Sequence, residues 1–547
     1  MELALGPLLR HTSTDEATVW VQASAPCTVE VRAAGRAFSE PTFTVEGHHY
    51  ALVLVTGLEP GTATPYEVAL DGRPVWPQPG WPPSVLRTHP ADGPVQIVFG
   101  SCRVAAPHEP PYTLRKDVDK RGREVDALRG LALRMREQPP DEWPHALLLL
   151  GDQVYADEIH PHMDVDGEVT SFDDYVALYR ASWGEPVIRW LLSTIPSAMI
   201  FDDHDVHDDW NTSVEWIAEM RAKPWWRDRI VAAFESYFIY QHLGNLDRAG
   251  LEDSEVYRKL RTLEDPTEML REFARRADLE VEGTRWSYRR DIGNARVVMI
   301  DSRAGRVLDP GRRSMVDAHE WQWITEQLTG DVDHLLIGTS LPLFMGPALH
   351  YLEAWNEVTA DGGWGPLVKK LAEKLRQELD LEHWPAFRAS FERMCGLLAD
   401  VGAGRRGEAP STICVLSGDV HHAYLAEVGF PRGAGVRSAV WQAVCSPFRN
   451  PLATHERRVI LAAWTRPVAW VARALARLAG VPDPSVRWRL AHERPWFNNQ
   501  VARLELDGRR AMFVLERAVP PEDGIGEPEL ECVFRRTLEP NAVFSRA

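Results

Sequence analysis

The sequence predicts an α/β protein that carries a β-sandwich at its N-terminus. Three observations lead there. Short alternating strands with Pro and Gly punctuation fill residues 1 to 90. From Val95 onward, short apolar runs alternate with helical stretches. Several of those runs end in Gly, Asp, His or Cys, which delivers ligand-type side chains to the carboxyl edge of a sheet, where open α/β folds keep their sites.

In chain order, residues 18–21, 28–32 and 49–55 read as strands, and the turn 58–62 leads into a strand at 66–70 and an Asp71-Gly72 turn. This spacing predicts a sandwich of fibronectin or immunoglobulin type over 1–90, closed by the Pro-rich stretch 77–83. The second domain, 91–547, takes core strands at 95–99, 146–150, 198–201, 296–300, 334–337 and 412–416, each short, apolar and bounded by polar turns. Helical insertions are expected over 212–280, 350–405 and 455–480, the first rich in tryptophan (Trp210, Trp216, Trp225, Trp226). Residues 500–519 read as a hairpin around Asp507-Gly508. Within the last insertion, the periodicity after Thr465 predicts a helix to Leu478 with Val468, Val471, Leu475 and Leu478 on one face and Arg466, Arg473 and Arg477 on the other. Either the apolar side packs on the core, or the basic side forms a lid over the site or a contact with anionic lipid.

A chain of 547 residues exceeds one modest core, and 44% hydrophobic content excludes disorder as the main state. The net charge of −18 argues against nucleic acid as a partner, while its carboxylates supply metal ligands. The six cysteines form no CxxC pair and imply no disulfide framework. The apolar stretch 459–481 is broken by Arg466, Pro467, Arg473 and Arg477, so no membrane span is expected; peripheral contact through 466–478 is the membrane option left open. Residues 1–6 show no basic region leading into an apolar one, which makes cytoplasmic location the expectation.

Asp152, in Gly151-Asp152-Gln153-Val154-Tyr155, is the first candidate for a bridging ligand, since one carboxylate can hold two cations. Tyr155 is either a phenolate ligand or a packing tyrosine; with an ordinary pKa of about 10 it needs a strongly Lewis-acidic ion to ionise. Cys102 is either a small buried hydrophobe or a thiolate ligand beside Arg103, which would then neutralise substrate phosphate. In the run 202–209, some carboxylates serve as ligands and others as caps, and His204, flanked by carboxylates, suits general-acid protonation of a leaving oxygen. Asp419 and His421 alternate, so on an extended strand end they would converge on one cation, with His422 facing elsewhere. Arg303, after another strand, either clamps phosphate with its planar fork or forms a salt bridge. Together these runs argue for a multinuclear metal centre and hydrolytic chemistry.

The motifs Gly100-Ser101-Cys102, Gly151 to Asp157, Asp202-Asp203-His204-Asp205, Ile300-Asp301-Ser302-Arg303 and Gly418-Asp419-Val420-His421 resemble those of the PhoD-like alkaline phosphatases, a branch of the calcineurin-like metallophosphoesterases. The resemblance implies an αββα sandwich and hydrolysis of phosphomonoesters or phosphodiesters, with a phosphate-ester substrate and a centre of iron (Fe3+) and calcium (Ca2+), other divalent cations being admitted. It makes Cys102, Asp152, Tyr155 and His421 iron ligands, with Asp152 bridging, and Asp419 a calcium ligand aided by Asp203, Asp208 and Asp209. The rival readings are a dedicated phosphodiesterase or phospholipase and a non-catalytic binding protein on the same fold. The chain departs from ordinary metallophosphoesterases in carrying Cys102, Asp203-His204 and Thr339-Ser340 where histidine-rich motifs stand, and from the PhoD pattern in carrying Asp208 and Asp209 where asparagines stand.

Overall fold

The computed structural model describes residues 1–539 except 91, 159–164, 166 and 522–525. Strands between Leu3 and Arg87 build two sheets. One has the order Leu3–Thr12, Glu16–Ala23, His48–Thr56, Phe43–Val45; the other centres on Thr28–Ala33, between Arg36–Pro41 and Ala63–Leu70. Period-two alternation divides the first sheet between two cores. Leu9, Val19, Val21, Val53 and Val55 meet Val29, Val31 and Val68 inside the sandwich. Leu8, Trp20, Tyr50 and Leu52, on the opposite face, join the main core of the molecule. The sandwich is thus packed against the rest of the chain along a whole sheet face.

Two larger sheets follow. In the six-stranded one, Ser197–Ile200, Ala146–Leu150 and Val95–Gly100 run parallel and are extended by the antiparallel strands Gln500–Asp507, Arg510–Val519 and Glu529–Thr537. The seven-stranded sheet has the order Tyr288–Ile292, Ala295–Ile300, His334–Thr339, Thr412–Ser417, Ala439–Val444, Tyr424–Gly429, Arg487–Leu490. Its alternate residues Val297, Met299, Leu336, Cys414 and Leu416 share a core with the first sheet. Val298, Ile300, Leu335, Ile337, Ile413 and Val415 face Trp321 and Ile324 of the helix Ala318–Gln327 and Phe391, Met394 and Leu398 of the helix Arg388–Gly402. Burial on both faces explains why these strands read as unbroken apolar runs.

The three helical insertions form, but the helix Arg466–Leu478 is turned the other way from its expected packing. It rests on Pro347–Ala360 through Ala476, while Val468, Val471 and Leu478 are exposed. The basic lid is also corrected. Arg473 and Arg477 both pair with Asp483, which occupies the charges that would attract substrate.

Candidate metal centre

Every candidate ligand follows the carboxyl end of a parallel strand. Cys102 follows Val95–Gly100, Asp152 follows Ala146–Leu150, the run 202–209 follows Ser197–Ile200, Arg303 follows Ala295–Ile300, and Asp419 and His421 follow Thr412–Ser417. Two glycines allow the loops to meet. A Cβ on Gly151, whose φ is +114°, would lie 2.7 Å from that of Asp202, and one on Gly418 would lie 2.1 Å from Ser101 Oγ.

Cys102, Asp152, Asp209, Asp419 and His421 all take φ between +50° and +63°. Such backbone costs a non-glycine residue about 1–3 kcal/mol and persists only where the surroundings enforce it. Asp205 provides part of that enforcement. Its carboxylate accepts the backbone N–H groups of Asp152 (3.1 Å), Gln153 (3.1 Å), Val154 (3.2 Å) and Asp202 (2.9 Å), fastening two loops together. Asp301 does the same within its own loop, accepting from Arg303, Ala304 and Gly305. Ser101 Oγ accepts the Asp419 N–H at 3.1 Å and lies 3.0 Å from Cys102 Sγ.

The ligand atoms fall into three linked groups, each within 4.8 Å: Cys102, Asp152 and His421; Asp152, Asp203 and His204; Asp202, Asp203 and Asp419. Asp152 belongs to the first two and Asp203 to the last two. Tyr155 adjoins the first, its hydroxyl 3.4 Å from Asp152 Oδ2 and accepting from Asn450 Nδ2 at 3.3 Å. His421 Nδ1 donates to the Asn450 carbonyl at 2.6 Å, which leaves Nε2 as the lone-pair nitrogen. Asp419 and His421 do not converge as strand alternation predicts. Both adopt left-handed backbone beyond the strand, and they join different groups.

Burial pushes Asp152 and Asp202 well above the carboxylate range, opposed by His204 in one case and Arg303 in the other, with neighbouring aspartates adding to the rise. Burial and then nearby carboxylates bring Asp209 to about 10. Burial, followed by Asp152 and Asp419, also raises the Cys102 thiol. Asp152 Oδ1, Asp202 Oδ2 and Asp209 Oδ1 are buried without a hydrogen-bond partner among the described residues. Crowded acids with orphaned oxygens are the donor set of a cation site, because multivalent cations reverse the cost of every charge at once. The residues therefore fit a metal centre.

The profile of the PhoD-like phosphatase family matches residues 133–468, more than half of the chain. This chain belongs to the PhoD-like phosphatases. It is a phosphoric ester hydrolase, and its family is metal-dependent. A second profile, a domain of unknown function designated DUF7800, matches residues 1–87, the sandwich strands. A solved structure described as the structure of PhoD has a TM-score of 0.60 at 13% identity, over 98% of this chain and 90% of its own, a likeness of fold. A type III pullulan hydrolase from Thermococcus kodakarensis (11% identity, 98% and 100% covered, TM-score 0.15) and a maltogenic amylase from S. marinus (9%, 94% and 77%, 0.17) carry no structural argument. No curated protein sequence matches.

In this PhoD-like phosphatase, the matched segment holds the candidate ligands from Asp152 to His421, while Cys102 lies upstream of it. Two arginines need correction. Arg103 is buried, with Nε on Asp126 (2.8 Å), one terminal nitrogen on the Ser182 carbonyl (2.7 Å) and the other on Glu185 (3.1 Å), so it braces loops instead of facing substrate. Arg303 is fully buried among Asp202, Asp203, Glu382 and Asp419, a counter-charge for acidic groups with no exposed fork to clamp phosphate.

His204 lies within the site, Nδ1 3.0 Å from both oxygens of Asp157 and its ring 4.8 Å from that of Tyr155. Burial disfavours its charge, but Asp157 and Asp203 outweigh that and hold it well above the usual histidine range. Sequence reasoning missed Glu382 and His383. His383 joins Glu353 (2.9 Å) to Asp419 (3.1 Å). Their signal was the Asp380-Leu381-Glu382-His383 run inside an insertion read only as helical. It also missed Asn450, which follows no apolar strand ending in a ligand motif.

Proposed function

We propose that this PhoD-like phosphatase hydrolyses phosphomonoesters or phosphodiesters at a mixed-metal centre built on Asp152 and Asp203. The observation that carries the reading is that Asp152 groups with Cys102 and His421 and Asp203 with Asp202 and Asp419, while these two carboxylates lie within 4.8 Å of each other beside His204, which is kept as a proton donor and not as a ligand. Cys102, Tyr155, Asp152 and His421 offer the thiol, phenol and imidazole donors that suit iron, and Asp203, Asp209 and Asp419 offer the oxygens that suit calcium. Asp208 stands at the exposed edge of the same run. Cations held there would supply Lewis acidity, an activated water and neutralisation of phosphate charge.

The side chains do the rest. His204, kept protonated by Asp157 and partly exposed, is placed to give its proton to the leaving ester oxygen. Arg303 positions Asp202, Asp203 and Asp419. The two-sheet core supports the αββα reading of metallophosphoesterases. Metal analysis of protein purified without added metal, with activity on aryl phosphomonoesters against aryl phosphodiesters, tests the proposal. Iron and calcium retained with hydrolysis of either ester is the expected result; metal-free protein that hydrolyses both overturns it.

A further inference from the structure

The helices Thr454–Ala463 and Arg466–Leu478 meet at a bend of 69°. The second inverts the usual arrangement of an amphipathic helix. Its packed side is made of small residues: Ala476 is fully buried beside Ala354 and Val481, with Tyr351, Trp355 and Val358 around them. Its large apolar residues face out, with Trp470 70%, Val471 61% and Leu478 77% exposed, and Val468 beside them. A core-packing helix buries its largest apolar residues. Val459 continues the exposed apolar surface onto the first helix, and Leu367 and Leu371 are exposed on Pro366–Glu378, which packs on the same helix, Pro347–Ala360.

We propose that this hairpin, 454–478, is a docking surface for an anionic lipid bilayer. Charge argues for that occupant. In a chain of net charge −18, the hairpin carries five arginines against the single acid Glu456; Arg473 and Arg477 share the one carboxylate of Asp483 and Arg457 meets Glu124, which leaves Arg458 and Arg466 without an ion pair among the described residues. At 3.6 residues per turn, Arg466, Trp470 and Arg477 fall together on the border between the packed alanine side and the exposed apolar side. Arginine and tryptophan at such a border, beside an apolar stripe, match the depth profile of a bilayer interface over anionic head groups. A twofold contact with a second copy would set the same arginines against one another. No single described helix is long and apolar enough to cross a membrane; these two helices reach that length only as a pair, and the 69° bend between them, with Arg466, Arg473 and Arg477 along the second, argues for lying on the surface instead of spanning.

The hairpin also adjoins the metal centre. Asn450, whose carbonyl holds His421, is followed within four residues by Thr454. At the bend, Trp464 packs edge-on against Tyr424 (5.1 Å), which stacks on His422 (5.4 Å). Bilayer docking itself stands apart from the catalytic assignment.

Co-sedimentation with vesicles of phosphatidylglycerol and phosphatidylcholine, compared with phosphatidylcholine alone, tests it. The wild-type protein should bind the anionic vesicles and release at high salt. Arg458→Glu with Arg466→Glu should weaken binding about 10-fold or more, at roughly 1 kcal/mol for each arginine near the surface, and Val471→Asp with Leu478→Asp should abolish it. All four positions are exposed, so both variants keep the wild-type thermal midpoint. Wild-type protein that stays in the supernatant overturns the proposal, as does binding unchanged in both variants. So does a concentration-dependent dimer that Val471→Asp with Leu478→Asp dissolves while no vesicles are bound.

Discussion

At the scale of single residues, the proposed chemistry divides between Tyr155 and His204, whose rings lie 4.8 Å apart. Burial, with Asp152 and Cys102 next, raises the Tyr155 hydroxyl well above its ordinary value, so only a strongly charged cation could ionise it. If iron is that cation, the purified protein should show a visible charge-transfer band, and Tyr155→Phe should shift or remove it. A colourless, iron-free and fully active enzyme would contradict the assignment. For His204 the discriminating variable is the leaving group. His204→Ala should slow esters with poor leaving groups on the order of 100- to 10,000-fold, the usual contribution of a general acid, and slow activated aryl esters far less. Equal losses on both would mean that His204 only organises Asp157 and Tyr155. The gathering of Asp152, Asp203 and Asp419 in one place was legible because each follows an apolar strand, so a short motif brings all three to the same sheet edge. Glu382 and His383 were not, since they reach the site from an insertion through tertiary packing that no local pattern records.

At the scale of elements, the strands were readable for a physical reason: burial on both faces forces continuous apolar runs, as at Leu147 to Leu150 and Leu335 to Ile337. Which face of a helix points inward was not, because periodicity gives the stripe and not its partner; at Arg466–Leu478 the alanines won the packed side. Arg103 shows the same limit. Its position after a strand suggested substrate, whereas the structure draws it into a network with Asp126 and with Glu185, which precedes the helix Pro186–Thr194 and also meets His108 and Arg129. That network has an acid signature. Burial would raise Glu185, but the hydrogen bond from His108 and the charges of Arg103 and Arg129 bring it down to about 2. A carboxyl depressed in the folded state adds stability above its unfolded pKa of about 4.5 and loses it as pH falls toward 2, in all about 3 kcal/mol for a largely buried group. The thermal midpoint should therefore drop between pH 5 and pH 2, and Glu185→Gln should be less stable at neutral pH yet show a flatter acid limb. An acid limb identical to wild type would remove Glu185 from the account.

At the scale of the molecule, the N-terminal sandwich is tied by hydrogen bonds to the loops of the candidate metal centre. Arg10, in the strand Leu3–Thr12, is wholly buried outside its own sandwich core, and its guanidinium donates to the carbonyls of Tyr240 (2.6 Å) and Gln241 (2.7 Å) and to Asn245 Oδ1 (3.3 Å). Gln241 Nε2 in turn donates to Asp205 Oδ1 at 3.3 Å, and Asp205 holds the backbone of Asp152. Three hydrogen bonds thus join a sandwich residue to the backbone of Asp152, which bears the shared carboxylate. Burial, then the nearby charge of Arg290, pulls Arg10 down to about 9, so the guanidinium depends on those carbonyl acceptors for its place. Arg10→Met keeps much of the apolar stem and strips the donors, leaving buried carbonyls unpaired at a cost of about 3 kcal/mol. If the sandwich is a brace, unfolding stays a single cooperative transition with a lower midpoint. The variant should also lose metal to a chelator roughly 10-fold more readily, the low end of what outer supports of a metal site contribute. A sandwich that is merely appended predicts something else: an early, separate transition in calorimetry, with metal retention and the kinetics of the remaining enzyme unchanged.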